Sequence, residues 1–144
     1  MYQLFQSLSS GETELVDIPI PELDQNNVLI STRCSLLSTG TERMLVEFGK
    51  SNYLEKALKQ PERLNEVSDK IKNDGLLPTI EAVASKLNQP IPLGYCNAGV
   101  VIGVGKKVEE FKIGDRVISN GPHAEIVSVS KNLCAKIPNN VSYE

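Results

Sequence analysis

The sequence predicts an α+β domain in which a small, partly open β-barrel is interrupted by a helical insertion. Apolar residues change from strand spacing to helical spacing near residue 38, and strand spacing returns near residue 93. The chain has 144 residues, 40% hydrophobic and 23% charged, as expected for one globular domain. Short strands on both sides of a helical block favour a small barrel.

The first third of the chain has strand patterns. Residues 2–6 alternate weakly, and residues 12–18 have the pattern of the return strand of a hairpin. Pro19 and Pro21 end that strand. The strongest early strand spans 28–37, where alternate residues are expected to share one face, namely Val28, Ile30, Thr32, Cys34 and Leu36.

Three helices are expected within an insertion spanning about residues 41–88. The first follows the Thr-Gly-Thr-Glu sequence at 39–42, which has the spacing of a capping box with Thr39 as the cap, and it is expected to end at Gly49. Pro61 and Pro78 are expected to open the other two helices, because proline is tolerated in a first turn. Helical spacing predicts one apolar face on the third helix, formed by Ile80, Val83, Ala84 and Leu87.

Strand patterns return in the last third of the chain. A glycine-punctuated strand is expected over 99–105, followed by a turn leading into a strand over 111–118. Residues 125–129 alternate, and residues 133–137 complete the run before Pro138.

Charge and hydropathy argue against several classes of partner. The net charge of −3 and the pI near 5.3 do not provide a nucleic-acid-binding surface. No apolar run approaches the roughly 20 residues that a membrane span needs, and the first residues do not resemble a signal peptide. We therefore expect a cytoplasmic protein whose partner is a small molecule, with neither nucleic acid nor membrane bound.

The cysteines do not form a recognisable metal motif. Cys34, Cys96 and Cys134 are widely separated and contain no Cys-x-x-Cys pair, so they are predicted to be free thiols. A zinc site built from Cys34, Cys96, His123 and a carboxylate would have suitable ligand types but no supporting local spacing. No metal ligand is predicted.

The glycines at 103 and 105 do not form a dinucleotide-binding fingerprint. The third glycine is missing, and the lysine-containing segment after Gly105 does not have a helical pattern that would receive a pyrophosphate. Glycines at a bend of a curved sheet explain the pair. No cofactor-binding residue is therefore predicted in this chain.

Two side chains are candidates for proton transfer. His123 is the only histidine, and imidazole is the side chain that exchanges protons most readily near neutral pH. The phenol of Tyr95 can orient or protonate a substrate carbonyl. The structural alternatives are a packed aromatic side chain at the barrel mouth and a structural or merely exposed histidine. With a single histidine and no nucleophile-elbow sequence, no Ser-His-Asp hydrolase is predicted.

Small polar residues form the candidate substrate contacts. Ser38, Thr39 and Thr41 lie at the predicted start of the first helix, where hydroxyls and backbone N–H groups can bind a polar ligand. A helix-capping role is compatible with that contact. Asn97 is a further candidate for orienting a polar group of the substrate.

The order of four segments resembles the N-terminal domain of the medium-chain alcohol dehydrogenase family, a chaperonin-10-like or GroES-like domain. These segments lie at 38–42, 93–101, 114–117 and 123–125. In the zinc-dependent members the first segment carries a cysteine ligand and the second a Gly-His-Glu sequence. Here Ser38 and Gly-Tyr-Cys at 94–96 stand in those places, so the resemblance implies that the catalytic zinc is absent.

A finer resemblance covers 37–43, 75–79, 93–95, 123–125 and 131–133. It is to a bacterial subgroup in which a medium-chain dehydrogenase-like half is fused to a glucose-fructose-oxidoreductase-type half and linked with polysaccharide biosynthesis. The Ser-Thr-Gly-Thr-Glu-Arg segment also resembles bacteriochlorophyll-pathway dehydrogenases, so the substrate stays open.

The resemblance implies that residues 1–144 supply one wall of a substrate cleft. A Rossmann domain expected after residue 144 would hold NAD or NADP, and the chain alone is expected to bind no dinucleotide and to be inactive. The parent would be a zinc-independent oxidoreductase, expected to be a homo-oligomer, acting on a polar, sugar-like carbonyl or alcohol. Without a metal, donors such as Tyr95, Ser38, Thr39 and His123 would stabilise the alkoxide.

Two alternatives to this function stay open. One is a zinc-dependent alcohol dehydrogenase with atypical ligands. The other is a non-catalytic barrel that binds a partner protein through the insertion at 41–88, which would require an exposed apolar stripe on that insertion.

Overall fold

The structure, a computed structural model, describes residues 1–51 and 61–143, without the side chains of 61–63. Strands, helices and one short 3₁₀ helix occur in these ranges in the following order: β1 Tyr2–Gln6, β2 Thr13–Asp17, β3 Asn27–Ser35, α1 Thr41–Lys50, α2 Pro61–Asp74, α3 Leu76–Asn88, β4 Ile91–Pro92, β5 Asn97–Val104, β6 Arg116–Ser119, β7 Ile126–Ser130, 3₁₀ Lys131–Leu133 and β8 Cys134–Lys136. The predicted fold class, with strands on both sides of a helical block, is confirmed.

The strands form two sheets. The larger has five strands in the order β7-β3-β5-β6-β8, and each neighbouring pair is antiparallel. The smaller has three strands in the order β2-β1-β4. The four predicted strand regions of the last third correspond to β5, β6, β7 and β8.

Internal contacts divide the chain into two compact units. The first comprises Met1–Phe5, Glu14–Glu42 and Pro92–Glu144, and it contains the five-stranded sheet. The second comprises Gln6–Thr13 and Arg43–Ile91, which includes most of the predicted insertion. Within that insertion, residues 52–60 lie outside the described residues.

The core of the first unit lies on the five-stranded sheet. Alternate positions of its strands are apolar, so one face of each strand can be buried. The buried cluster consists of Val28, Ile30, Val101, Val108, Val117, Ala124, Val127 and Val129. All of these residues except Ala124 are β-branched, and such side chains suit a pleated, buried surface.

The segment from His123 to Glu125 joins the two sheets within this unit. On one side, the Leu4 N–H donates to the His123 carbonyl at 2.9 Å and the Glu125 N–H donates to the Tyr2 carbonyl at 3.0 Å. On the other side, the Thr32 N–H donates to the Glu125 carbonyl at 2.9 Å. The backbone that carries His123 is therefore fixed from β1 and from β3.

The predicted single face of β3 is wrong at its carboxyl end. Val28 and Ile30 are buried, whereas Leu36 is exposed and lies beyond the end of the strand. The register of β3 on β5 shifts between Leu29 and Ile30 and again between Thr32 and Cys34. The alternation of burial nevertheless continues to the end of the strand, since Cys34 is half-buried and Ser35 is exposed, so the prediction fails only at Leu36.

The sequence predicted that α1 ends at Gly49, but the helix continues to Lys50. Gly49 is buried inside the helix, and a Cβ there would lie 2.8 Å from the Ser7 carbonyl oxygen. Its small size is thus required by close packing within the second unit, and not by a helix cap.

Helix α2 begins at Pro61 as predicted, but α3 begins at Leu76, two residues before Pro78. Proline is compatible with any position of the first turn, so it did not mark the first residue. Of the predicted apolar face, Val83, Ala84 and Leu87 are half-buried, whereas Ile80 is exposed. Thr79 is buried, with its hydroxyl donating to the Gly75 carbonyl at 2.8 Å. None of the helices in the described ranges is long and apolar enough to span a bilayer.

Candidate functional site

His123 is the centre of a hydrogen-bonded cluster in the first unit. Its Nδ1 atom lies 2.8 Å from Ser35 Oγ, and its Nε2 atom lies 2.9 Å from Glu42 Oε2. The His123 and Glu42 side chains are only 11% and 6% exposed, whereas Ser35 is an exposed residue. Both ring nitrogens are thus engaged, and the exposed end of the cluster is a hydroxyl. We call these three residues the Ser35–His123–Glu42 triad.

Glu42 is held in place by the first turn of α1. Its Oε1 atom accepts the Ser38 N–H at 2.8 Å, and its own N–H donates to the Ser38 carbonyl at 3.0 Å. Thr39 was predicted as the capping partner, but the reciprocal bonds are made by the Ser38 backbone. A carboxylate at a helix N-terminus is also stabilised by the helix dipole. Glu42 therefore has a structural role at the start of α1 in addition to its contact with the imidazole.

The partners of the imidazole define its neutral tautomer. An ionised carboxylate can only accept hydrogen bonds, so the Nε2 atom of His123 carries the proton that faces Glu42. In neutral imidazole the Nδ1 atom is then an acceptor, and the Ser35 hydroxyl donates to it. Because the Nε2 proton faces Glu42, the basic Nδ1 nitrogen of His123 faces the exposed Ser35 hydroxyl.

Gly94 makes room for the imidazole. Its φ of +89° is a conformation that side chains rarely adopt, and a Cβ there would lie 2.7 Å from the Cγ and Cδ2 atoms of His123. The His123 N–H also donates to the Leu93 carbonyl at 2.8 Å. The 93–94 segment therefore fixes both the backbone and the ring of His123.

Asn97 lies at the start of β5 and is 1% exposed. Its Nδ2 atom donates to the Thr32 hydroxyl at 2.6 Å, and that hydroxyl donates to the Ala124 carbonyl at 2.5 Å. The Oδ1 atom is buried without a partner among the described residues. From this position Asn97 supports the segment next to His123 through Thr32.

The other predicted site residues lie at the surface. Tyr95 is 45% exposed and follows Gly94, so its phenol is accessible next to the segment that holds His123. Thr39 and Thr41 are exposed at the start of α1. Of the predicted set, the structure brings together Ser38 and His123, and it does so through Glu42.

Ser35 and Glu42 were not among the predicted site residues. The sequence provided no basis for arguing a serine, histidine and carboxylate arrangement, whereas the Ser35–His123–Glu42 triad has that connectivity. Glu42 was noticed only as a capping carboxylate. It lies 81 residues from His123, and no local motif signals a contact over that distance.

Two of the candidate zinc ligands, His123 and Cys34, are hydrogen-bonded to other groups of the protein. Among the described ranges, no group of three or more His, Cys, Asp and Glu side chains is arranged to hold a metal ion. Both His123 nitrogens are bonded within the triad, and the Cys34 thiol donates to the Tyr143 carbonyl at 2.9 Å. Burial raises the pKa of the Cys134 thiol to about 11, which disfavours the thiolate that a metal needs.

Gly103 and Gly105, near the end of β5, pack against other residues of the chain. A Cβ at Gly105 would collide with the carbonyl oxygens of Asp24 and Gln25, and a turn follows at 106–107. A pyrophosphate site of the Rossmann type needs a helix N-terminus after the glycines. These residues therefore do not fit a dinucleotide.

The Gly-Asp-Arg-Val sequence at 114–117 forms a structural turn. Gly114 has a φ of +92°, and Asp115 accepts hydrogen bonds from the Lys112 N–H at 3.0 Å and the Lys136 ammonium at 2.9 Å. The Lys136 and Lys112 donors hold the pKa of the Asp115 carboxyl below its usual 3.8. Arg116 lies over the Tyr143 ring at 4.4 Å and donates to the Val141 carbonyl.

Comparison with known proteins agrees with this architecture. Residues 70–139 match the alcohol dehydrogenase GroES-like domain family. A partially reducing polyketide synthase of Menisporopsis theobromae is 30% identical over 82 residues, which are 56% of this chain and 3% of the synthase.

Two solved structures show the same fold over 99% of the chain. The quinone oxidoreductase of Coxiella burnetii is 25% identical with a TM-score of 0.62, and this chain covers 38% of it. The Escherichia coli quinone oxidoreductase complexed with NADPH is 15% identical with a TM-score of 0.61, and 35% of it is covered. The chain thus spans little more than a third of these enzymes. The chain is thus similar over residues 70–139 to the alcohol dehydrogenase GroES-like domain family, and over 99% of its length it has the fold of the matching part of the Coxiella burnetii quinone oxidoreductase.

Proposed function

We propose that this chain is the substrate-side domain of a zinc-independent, NAD(P)-dependent oxidoreductase that acts on a polar carbonyl or alcohol. The observation that carries the proposal is the His123 imidazole, held between buried Glu42 and exposed Ser35. The likeness to quinone oxidoreductases, one of them complexed with NADPH, supports the reaction class and the cofactor.

The triad provides a route for a proton. A nicotinamide held elsewhere in the parent supplies the hydride, so this chain has to supply or remove the proton on the substrate oxygen. Ser35 Oγ can pass its proton to an alkoxide while it takes one from His123 Nδ1, and Glu42 stabilises the imidazolium that precedes this transfer. The exposed Tyr95 phenol is a second donor beside the same segment.

The chemistry of the donors supports the proposal of zinc independence. His123 uses both nitrogens within the triad, and a phenol stands at position 95. Elemental analysis of the untagged protein, purified without added zinc, should find less than about a tenth of an equivalent of zinc. Near one equivalent, lost on mutation of Cys96 or His123, would support the zinc-dependent alternative instead.

The experiment that tests the function uses the longest natural protein that contains this chain. Oxidation of NADPH and of NADH would be followed with quinones and with sugar-derived ketones as substrates. His123→Gln should lower kcat by about 10²–10⁴-fold, the usual contribution of general acid–base catalysis, while an exposed control, Glu109→Gln, leaves it unchanged. Equal turnover by His123→Gln and the unmodified protein would exclude the proposed proton route.

One observation favours a second candidate function, the binding of a partner protein through the insertion. Leu76, Leu77 and Ile80 are exposed on α3, in the insertion that a partner-binding barrel would use. Analytical ultracentrifugation of the protein alone, and then of a Leu77→Lys variant, tests whether this surface drives association. A monomer in both cases leaves the oxidoreductase proposal as the better account.

A further inference from the structure

We propose that the Ser35–His123–Glu42 triad also activates Ser35 as a nucleophile. The 144-residue chain should then form a covalent adduct at Ser35 with activated acyl or phosphonyl esters, and it should do so without a nicotinamide. This activity goes beyond the proposed hydride chemistry and requires no residue outside this chain.

The connectivity of the triad is that of an activated hydroxyl. A nucleophilic serine needs a base within about 2.6–3.2 Å and a third group that orients the base. Ser35 Oγ lies 2.8 Å from Nδ1 of His123, and Glu42 Oε2 lies 2.9 Å from the opposite ring nitrogen. The arrangement is recognised by these geometric roles, which do not depend on sequence order.

Burial within the triad increases from the nucleophile to the acid. Ser35 is exposed, whereas His123 is 11% exposed and Glu42 is 6% exposed. An exposed hydroxyl is accessible to a bulky ester, and a largely buried carboxylate interacts strongly with the imidazolium that forms during attack. The burial order therefore suits a reaction at Ser35 Oγ.

The base is oriented before any reagent binds. The His123 backbone is bonded to Leu4 and Leu93, and the ring packs over Gly94. The second oxygen of Glu42 is held by the Ser38 N–H at 2.8 Å. A fixed imidazole reduces the entropy lost when the reacting groups are brought together.

Two of the three thiols are poor competitors for the reagent. The pKa of the Cys134 thiol is raised to about 11 by burial, so little thiolate is present at neutral pH. The Cys34 thiol is engaged with the Tyr143 carbonyl. The described contacts therefore favour the Ser35 hydroxyl over these two sulfur atoms.

The reaction with an alkyl phosphonofluoridate balances as follows. Ser35 Oγ forms a bond to phosphorus, the P–F bond breaks, and fluoride leaves. The hydroxyl proton moves to Nδ1 of His123 and is then released to solvent. With a carboxylic ester the same attack forms an acyl-serine and releases an alcohol, and water then hydrolyses the acyl-serine.

The test is labelling of the folded chain with an alkyl phosphonofluoridate, with the adduct located by peptide mass spectrometry. The expected result is one adduct on the Ser35 peptide, absent in Ser35→Ala and after unfolding in urea. His123→Gln should slow labelling at least tenfold, because general-base assistance typically contributes about 10²–10⁴-fold. The control Ser68→Ala removes an exposed serine of α2 and should leave labelling unchanged.

Two results would overturn the proposal. One is a folded chain with no adduct on Ser35, even if other residues are labelled. The other is labelling of Ser35 at the same rate in folded His123→Gln or in urea-unfolded chain, since Ser35 would then be an ordinary exposed hydroxyl. Neither result bears on hydride transfer, because the labelling involves no NADPH.

Discussion

The Nε2 atom of His123 lies 2.9 Å from Oε2 of Glu42, although 81 residues separate the two in the chain. The second oxygen of the same carboxylate accepts the Ser38 N–H at 2.8 Å. One buried side chain thus connects the start of α1 to the segment that joins the two sheets. Because it also sets the tautomer of His123, it links the stability of the domain to its proton chemistry.

Glu42→Gln should destabilise the domain. Glutamine replaces one of the two carboxylate oxygens by an NH₂ donor, which would face either the Ser38 N–H or the Nε2 proton of His123 instead of accepting from it. The free energy of unfolding should fall by about 1–3 kcal/mol, the usual penalty for a buried group left without its partner. Urea denaturation measures this, and exposed Glu109→Gln should stay within about 0.5 kcal/mol of the unmodified chain. Equal midpoints for the two variants would contradict a structural role for Glu42.

Gly94→Ala tests the contact beneath the imidazole. Gly114→Ala is the matched control, because its φ of +92° is similar but a Cβ there meets nothing within 4 Å. Both variants should lose about 1–3 kcal/mol to backbone strain. Gly94→Ala should lose a further 1–3 kcal/mol or so, because the added methyl collides with the His123 ring. Identical losses in thermal unfolding would mean that the ring moves aside freely.

Tyr95→Phe should reduce turnover without affecting folding. The phenol is 45% exposed, so its removal should change the free energy of unfolding by less than about 0.5 kcal/mol. In the longest protein that contains this chain, kcat should fall by about tenfold or more if the phenol donates a proton. Tyr2→Phe removes a similarly exposed phenol on β1 and is the control. Unchanged kinetics for Tyr95→Phe would remove Tyr95 from the mechanism.

Asp115 should contribute to acid sensitivity. Hydrogen bonds from Lys136 and Lys112 lower the pKa of its carboxyl below 3.8 in the folded state. The stabilisation that ionised Asp115 gives to the fold is therefore complete above the pKa of this carboxyl in the unfolded chain, and it is lost as the pH falls through the pKa in the folded chain. Asp115→Asn should lower the free energy of unfolding at pH 7 by about 1 kcal/mol, a value reduced by the solvent exposure of Lys136. Below about pH 4 the stability of this variant should decline less steeply with falling pH than that of the unmodified chain. Parallel stability curves for the two proteins between pH 7 and about pH 2 would contradict this contribution.

The strands were largely predictable because their signal is local. Alternation marked β3 and the strand at 125–129, and residues of these two strands, Val28, Ile30, Val127 and Val129, belong to the observed core. The errors occur at the ends of elements. Leu36 lies beyond the end of β3, and Pro78 lies inside the first turn of α3 instead of opening it.

The candidate site was only partly predictable because its contacts are long-range. His123 was identified from its residue type, but its partners Ser35 and Glu42 lie 88 and 81 residues away. Gly94 was noticed as part of a family segment, whereas its packing against the His123 ring depends on the fold. Residue type could indicate the base, and only the fold shows what orients it.

The most direct test of the central claim is the tautomer of His123, measured by long-range ¹H–¹⁵N correlation NMR. The chain contains one histidine, so an untagged sample gives an unambiguous ring signal. The predicted result, once the imidazole is neutral, is a protonated Nε2 and an unprotonated Nδ1, with Glu42→Gln disturbing this pattern. A protonated Nδ1, or a rapidly averaging mixture like that of free histidine, would contradict the arrangement in which Glu42 orients His123 toward Ser35.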